Sequence, residues 1–543
     1  MARRRGGSGF SKLLPVIAVI AIAASLFSGV FDSAPNTQLR IASGSENKAL
    51  EPIIRDWADD NGVAVDVTYL GSVDISRELS RGTEGDFDAV WPANSLWIEL
   101  GDDNRVVKHA ESILRSPVVL GLKRSIAERL GWVGRDDITI QDIRTAAENG
   151  AFRLAMTSAT QSNSGASAYL GFLYAMSGDP DALTLDHLAD TDVREATQAL
   201  LKTVDRSSGS SGWLKEAFVE NTARFDAMMN YEALMIEANL EFVRRRVAPL
   251  HIVYPSNGLA VADSPLGYVD KGDAAREEAF LALQQHLLTA EIQDQLVALG
   301  RRAGLLGLDV SRVDRAVWNP DWGVDLTRAI APIPIPEQSV IRRALTLYQT
   351  ELRKPSLTIW VLDVSSSMEG QPIEDLREAM RLLLDPGEAE RNLLQPNPSD
   401  VTIIIPFNNQ PQAMWTVEGD APKALERLWG KVRRLRAGGG TDLYLALDRA
   451  VKALKKYDAD GTLFDRLPAI VAMTDGDSET KNRRYFINVL RGTRFGRDVP
   501  IHAIAFGNAN DSQLAEIAEL TVGRLFKSKS DLAGTLRKAK GYN

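Results

Sequence analysis

The chain has 543 residues, which is too long for one ordinary domain core and favours two to four domains. Hydrophobic residues make up 44% and charged residues 25%, as in globular proteins, and the formal net charge is −9. No dense basic stripe is present, so we do not expect nucleic-acid binding. The absence of cysteine excludes disulfides, thiolate metal sites, a cysteine nucleophile and a lipid-bearing cysteine.

The N-terminus joins a basic cluster to a long uncharged run. Residues 1–12 contain three consecutive arginines and a lysine, and residues 13–31 carry no charge. A run of this length is sufficient for a membrane-spanning helix, and the basic cluster favours a cytoplasmic N-terminus with everything after the run outside. A cleaved signal peptide is the alternative, but the run is long for one. We therefore predict a single-pass cell-membrane anchor with the bulk of the chain extracellular.

Residues 32–38 form a predicted linker, and residues 39–335 alternate strand and helix patterns. Strands are predicted over residues 38–43, 64–69 and 87–91, with helices over 50–57 and 74–81 between them. This βαβαβ order predicts a parallel sheet covered by helices. A further strand is predicted at 116–122, an inserted second lobe at 123–245, and a return strand at 250–254.

Short phrases follow these predicted strands. They are Ser43-Gly-Ser45-Glu46, Gly71-Ser72, the segment from Asp86 to Pro92, and the hydroxyl-rich segment from Thr157 to Gly165. The order and the phrases resemble the bilobal extracellular solute-binding proteins of bacterial transport systems. The resemblance implies an α/β, periplasmic-binding-protein-like domain with two lobes, a hinge near Ser116–Leu122 and Leu250–Tyr254, and a cleft that binds a small polar solute.

The candidate cleft residues are mostly hydroxyl and amide side chains. They are Ser43, Ser45, Glu46, Ser72, Thr160, Ser162, Asn163, Ser164 and Tyr231. A helix beginning after residue 162 would favour an anionic ligand, because its free N–H groups and dipole present positive charge. A carboxylate such as Glu46 facing the cleft would instead favour a cationic or polar ligand. An equally good interpretation is that these residues are helix caps and loop residues.

Residues 336–355 are predicted as a proline-led linker and a helix over 339–352, and residues 356–543 as a doubly wound α/β domain. The predicted strands of that domain are 357–364, 401–406, 469–474, 501–506 and an edge strand at 523–527. Its predicted helices are 372–384, 423–434, 443–455 and 512–520. Ligands of such sheets bind at the carboxyl ends of the strands.

Three polar motifs occur at such ends. Asp363-Val-Ser365-Ser-Ser367 ends one strand, Gly438-Gly-Gly-Thr441 precedes a helix, and Asp475-Gly476 ends another strand. Each motif alone is weak evidence, because Asp, Ser and Gly favour turns and caps. A phosphate-binding loop is excluded, since no Gly-Lys-Ser/Thr follows the glycines. Together, hydroxyls and carboxylates form a set of hard oxygen donors that suits Mg²⁺, Mn²⁺ or Ca²⁺.

These motifs resemble the metal-ion-dependent adhesion site of von Willebrand factor A domains, which have a doubly wound, Rossmann-like fold. The resemblance implies that Ser365, Ser367 and Thr441 bind Mg²⁺ (or Mn²⁺ or Ca²⁺) through their hydroxyls. It also implies that Asp363 and Asp475 act directly or through water. One coordination position would remain for an acidic side chain of a protein partner.

Catalytic motifs are missing from the sequence. None of the five histidines pairs with another at metal-ligand spacing, and neither His-Glu-x-x-His nor Gly-x-Ser-x-Gly occurs. We therefore expect no enzymatic activity. The whole chain resembles bacterial substrate-binding and von Willebrand A domain-containing proteins, which implies a membrane-anchored sensor or adhesion adaptor. The alternative is a solute receptor of an ABC-type transport system with the C-terminal domain as a docking accessory.

Overall fold

The computed structural model describes residues 37–303, 313–326 and 330–542. The predicted cytoplasmic segment 1–12 and membrane segment 13–31 lie outside these residues. Within the described ranges, no helix combines the length and the apolar character that a membrane span requires. The strands are β1 (Thr37–Ser43), β2 (Val63–Tyr69), β3 (Ala89–Trp91), β4 (Val107–Ser112), β5 (Ser116–Lys123), β6 (Leu154–Thr157), β7 (Val204–Ser208), β8 (Ala227–Tyr231), β9 (Leu250–Val253), β10 (Val261–Ala262), β11 (Pro265–Val269), β12 (Ser356–Asp363), β13 (Val401–Phe407), β14 (Trp415–Glu418), β15 (Leu467–Thr474), β16 (Ile501–Ala505) and β17 (Leu525–Lys527).

Lobe 1 is built on a sheet in the order β2–β1–β3–β11–β4. Strand β1 pairs in parallel with β2 and β3, whereas β11 is antiparallel to β3 and β4. Its α-helices are Glu51–Asn61, Ser72–Ser80, Leu96–Gly101, Ala274–Leu287 and Ala290–Ala298. The predicted parallel βαβαβ unit is confirmed, and the antiparallel strand enters only after the chain has built the second lobe.

Lobe 2 is built on a sheet in the order β10–β5–β8–β6–β7, with β9 also paired to β5. Its α-helices are Arg124–Arg129, Ile140–Glu148, Asn163–Met176, Leu185–Ala189, Thr191–Lys202, Ser211–Glu220 and Glu232–Arg244. Strand β9 is paired with β5 within this sheet, so the hinge predicted near Leu250–Tyr254 does not lie there, whereas the one predicted near Ser116 borders a crossing. The chain crosses between the lobes just before β5 and again between β10 and β11.

A helix between the two large regions, Gln338–Leu347, packs against both lobes and is called the linker helix below. It continues into a π-helical turn over Tyr348–Leu352, so the predicted helix over 339–352 is confirmed. Val340, Ile341 and Ala344 are buried in a core that also contains Trp97 of lobe 1. The same core extends through the helices of lobe 2. The linker helix is therefore part of the folded body.

The C-terminal domain has one sheet in the order β14–β13–β12–β15–β16–β17. All neighbouring strands are parallel except β14, which pairs antiparallel with β13. Its α-helices are Gln371–Leu384, Pro386–Arg391, Pro422–Val432, Leu443–Ala459, Arg483–Gly492, Asp511–Glu519 and Leu532–Lys540. Along β12, Ile359 and Val361 face one core while Trp360 and Leu362 face the other. Helices thus cover both faces of the sheet, and the predicted doubly wound architecture is confirmed.

Candidate functional site

The first part of the site lies where β12 and β15 end side by side. These strands are parallel neighbours, with Leu362 opposite Met473, so Asp363 and Thr474 come at the same edge of the sheet. Asp363 is fully buried, and it accepts hydrogen bonds from Thr474 Oγ1 at 2.6 Å and Ser365 N at 2.8 Å. These bonds fix the direction of the carboxylate below the loop that follows β12.

A chain of oxygen atoms continues from this loop to Asp475. Ser365 Oγ lies 3.1 Å from Ser367 Oγ, and Ser367 Oγ donates a hydrogen bond to Asp475 Oδ1 at 2.8 Å. Ser365 and Asp475 are buried, whereas Ser367 is exposed. A Cβ at Gly476 would lie 3.2 Å from Ser367 Oγ, so the absence of a side chain there leaves room for the serine. The oxygen cluster is therefore open to solvent on the Ser367 side.

The glycine loop before Thr441 joins the other two segments. Gly438 N donates to Val364 O, and Gly439 O accepts from Ser366 N, each at 2.9 Å. Gly439 has φ of 89°, a backbone conformation that favours glycine. The carbonyl of half-buried Thr441 accepts a hydrogen bond from Glu479 N at 2.9 Å. The structure thus brings together all three segments that carry the predicted ligands Asp363, Ser365, Ser367, Thr441 and Asp475.

The electrostatics of the site fit a divalent cation. Burial raises the pKa of Asp363, against the hydrogen bonds from Thr474 and Ser365, and burial also raises the pKa of Asp475, against the bond from Ser367. Within the described residues, neither carboxylate pairs with a Lys, Arg or His side chain. Two buried carboxylates without a counter-ion, beside the hydroxyls of Ser365, Ser367 and Thr474, form a donor set suited to a hard divalent ion.

The described parts of the chain contain no group of three or more His, Cys, Asp or Glu side chains that could hold a metal ion. The candidate set differs from such groups because three of its five side chains are hydroxyls.

A cavity of about 450 Å³ lies in the predicted cleft. Of the predicted cleft residues, Ser45, Glu46, Ser72 and Ser162 line it. The lobes touch beside it, because Ser210 Oγ of lobe 2 donates to Ser45 Oγ at 3.1 Å. The lobes therefore meet beside a partly open cleft with polar walls.

The other five predicted residues, Ser43, Thr160, Asn163, Ser164 and Tyr231, do not line this cavity. All five are buried, and most hydrogen-bond with neighbouring side chains. Asn163 accepts from Trp97 Nε1 at 2.7 Å and donates to Tyr231 OH at 2.9 Å. Ser164 lies 2.7 Å from the hydroxyl of Ser211. Of the five residues, Asn163 therefore connects the two lobes through its bond with Trp97.

Glu46 is the most perturbed carboxyl of the cavity. Burial raises its pKa to about 7, opposed by a backbone hydrogen bond and by the charge of Arg301. Its Oε1 is buried and accepts no hydrogen bond from the described residues. The cavity therefore contains a carboxyl that takes up a proton more readily than an exposed one.

The C-terminal domain contributes to the same cavity, which was not predicted from the sequence. Its residues Arg524, Phe526, Lys538 and Tyr542 line the space together with Trp213 of lobe 2. The rings of Trp213 and Tyr542 meet edge to face, with centroids 4.9 Å apart. The Arg524 guanidinium lies over the rings of Trp213, Phe526 and Tyr542, 5.1–6.0 Å from their centroids. No local pattern indicates contacts between residues so far apart in sequence.

Comparison with known families agrees with this geometry. Residues 39–302 match the model of the bacterial extracellular solute-binding proteins, and residues 358–478 match that of the von Willebrand factor type A domain. The chain thus joins a domain of the solute-binding-protein type to a domain of the von Willebrand A type, or A domain. The name A domain is used below for the C-terminal domain, and the predicted family resemblance is confirmed for both regions.

Two curated relatives match over 167 residues, which is 30% of this chain and 17% of each relative. They are the inter-alpha-trypsin inhibitor heavy chain H1 of Bos taurus, 26% identical, and that of Mesocricetus auratus, 28% identical. The chain thus spans less than a fifth of their length.

Solved structures with similarity to parts of the chain include both kinds of domain. A von Willebrand factor type A protein from Catenulispora acidiphila is 15% identical, with a TM-score of 0.30, over 35% of this chain and 43% of its own. A tagatose-bound ABC transporter solute-binding protein from Thermotoga lettingae is 12% identical, with a TM-score of 0.44, over 58% and 94%. The sulfate-binding protein SubI from Mycobacterium tuberculosis is 17% identical, with a TM-score of 0.37, over 55% and 93%.

Proposed function

We propose that this chain is a membrane-anchored extracellular binding protein without enzymatic activity. In this proposal the A domain binds a divalent cation and, through it, a protein partner, while the solute-binding domain holds a small polar molecule. The chain would act as a sensor or adhesion adaptor. The observation that carries the proposal is the pair of buried carboxylates, Asp363 and Asp475, beside the hydroxyls of Ser365 and Ser367 and without a cationic partner among the described residues.

The geometry supports binding through the metal site for two reasons. The serine hydroxyls and Thr441 are neutral donors, so the two carboxylates would balance the charge of a divalent ion without exceeding it, and one position would remain for a partner's Asp or Glu. The exposed hydroxyl of Ser367 lies at the solvent side of the cluster, where such a carboxylate can approach. Asp363 and Thr474 lie beneath it and fix the loop in place.

The polar cavity supports solute binding. It lies between the two lobes and is lined by hydroxyls, by Glu46 and by aromatic rings. Because residues of the A domain form part of the cavity wall, a sensor function is favoured over that of an ABC-type transport receptor. A receptor that delivers solute to a permease has to open freely, whereas here a third element contacts both lobes.

Calorimetric titration of Mg²⁺ and Mn²⁺ into the full-length chain tests the metal site. Asp475→Asn should abolish the binding heat, since it removes a carboxylate in contact with Ser367. Asp477→Asn is the matched control, because it removes the same charge from an exposed position in the same loop. Equal metal binding by both variants, or none by the unmodified chain, would overturn the metal site. Partner capture on the loaded protein that survives chelation would overturn the bridging role.

A further inference from the structure

The lobes are joined by more than their two crossing segments. On the lobe 1 side, the linker helix donates from Gln338 Nε2 to Glu99 O and from Arg342 Nη2 to Leu100 O, each at 2.7 Å. On the lobe 2 side, Tyr169 OH donates to Ala344 O of the same helix at 2.9 Å. One rigid helix therefore holds both lobes.

The last helix of the A domain, Leu532–Lys540, makes a second bridge. Arg537 Nε lies 3.1 Å from Asp74 Oδ1 in lobe 1. The carbonyl oxygen of Arg537 accepts a hydrogen bond from Gln161 Nε2 of lobe 2 at 2.7 Å. The side chain and the main chain of one residue thus contact opposite lobes, and a change in the distance between the lobes has to break one of the two contacts.

The residues that follow this helix also contact lobe 2. Ser207 Oγ of lobe 2 donates to Gly541 O at 3.4 Å, and Tyr542 packs on Trp213. Both Tyr542 and Lys538 line the cavity between the lobes. The contacts that fix the lobe distance are therefore also part of the cavity wall.

We propose that the linker helix and the last helix of the A domain clamp the two lobes closed, so that the solute cavity opens only when the A domain releases a lobe. The clamp rests on the proposed function of the cleft, because it regulates access to that site. By linkage, a solute that binds the closed lobes stabilises the docked A domain, and a partner that pulls the A domain away favours opening.

Distance measurements between spin labels test the clamp without a solute. The chain has no cysteine, so Asp59→Cys in lobe 1 and Glu195→Cys in lobe 2 provide two exposed labelling sites in the full-length chain. The otherwise unmodified protein should give one narrow distance distribution. Combining Arg537→Ala with Tyr542→Ala should add a population at longer distance, and Asp74→Asn should do so to a smaller extent.

The control is Arg381→Ala, which removes a half-exposed arginine whose ion pairs, with Glu378 and Glu388, lie within the A domain. It should leave the narrow distribution unchanged. If the Arg537 and Tyr542 double variant also keeps that distribution, releasing the A domain does not open the lobes and the clamp is wrong. Two populations in the unmodified chain would contradict it as well. Circular dichroism and Mg²⁺ titration of the same samples distinguish these outcomes from misfolding and from failure of the metal site.

Discussion

Thr474 Oγ1 lies 2.6 Å from Asp363 Oδ2, and this hydrogen bond joins the carboxyl ends of two neighbouring parallel strands. Both side chains are buried. The bond therefore satisfies a carboxylate that burial would otherwise leave with one backbone donor, Ser365 N. It also orients Asp363 toward the loop that carries Ser365 and Ser367. Thr474 is thus a supporting residue of the candidate metal site that the sequence motifs did not identify.

Replacing Thr474 with valine preserves the shape of the side chain and removes this bond. We expect the Mg²⁺ affinity to fall by about 10- to 100-fold, as for the loss of other groups that orient metal ligands. The free energy of unfolding should fall by about 1–3 kcal/mol, because a buried acceptor loses its partner. Calorimetry and urea denaturation measure the two effects. Thr402→Val, at a half-buried position on β13, should change neither; an equal loss there would show that the effect is not specific to the site.

Gly71 allows a close approach of the two lobes. A Cβ at this position would lie 2.1 Å from Gln161 O of lobe 2, although the backbone of Gly71, with φ of −69°, suits any residue. Gly71→Ala should therefore push the lobes apart, and small-angle scattering should show a larger radius of gyration. Gly430→Ala, where a Cβ meets no atom within 4 Å, is the control. Equal scattering from the two variants would mean that the closed contact at Gly71 does not exist in solution.

Most of the A-domain sheet could be predicted from the sequence, because its strands are marked by patterns within short stretches of the chain. Strand β12 is an uninterrupted apolar run, as expected of a strand buried on both faces, and the polar motifs come at its end and that of β15. Parallel strands end at one edge, so the motifs had to meet. The last helix was not predicted, since Leu532, Leu536 and Ala539 form only a short stripe.

The cavity wall was less predictable than the candidate metal site. Contacts such as that between Trp213 and Tyr542 depend on how two domains pack, and neither residue lies in a pattern that indicates a partner. For Asn163 and Tyr231, by contrast, the sequence suggested contacts with a ligand, and the structure shows contacts with other side chains. Their polar groups suggested ligand contacts, yet in the closed lobes they bond to each other and to Trp97.

Glu46 should make stability depend on pH. Burial raises its pKa to about 7 in the folded chain from an ordinary value of 4.5, so the folded state holds the proton more tightly than the unfolded state. This contribution is fully present below pH 4.5 and is lost as the pH rises through about 7. Between about pH 4.5 and 8 the unmodified chain should therefore lose roughly 1–3 kcal/mol of unfolding free energy that Glu46→Gln does not lose.

Urea denaturation across this pH range measures the difference. Glu216→Gln is the control, since it removes an exposed carboxylate from the same cavity. If Glu46→Gln and Glu216→Gln show the same pH dependence as the unmodified chain, Glu46 is not buried in solution.

Arg353 and Asp400 form a buried ion pair where the linker enters the A domain. Their side chains are 11% and 3% exposed, and Arg353 Nη1 lies 3.0 Å from Asp400 Oδ1. Asp400 also accepts from Ser356 N at 2.6 Å. Asp400→Asn should therefore lower the free energy of unfolding by about 3–5 kcal/mol, because it leaves a buried guanidinium without a counter-ion.

Adding Arg353→Met to Asp400→Asn should recover part of the loss, since the unpaired charge is then removed. Glu378→Gln, which breaks an exposed pair with Arg381, should cost less than about 1 kcal/mol. Thermal and urea unfolding of the three variants check these values, and a similar small loss for Asp400→Asn would mean that water reaches Arg353.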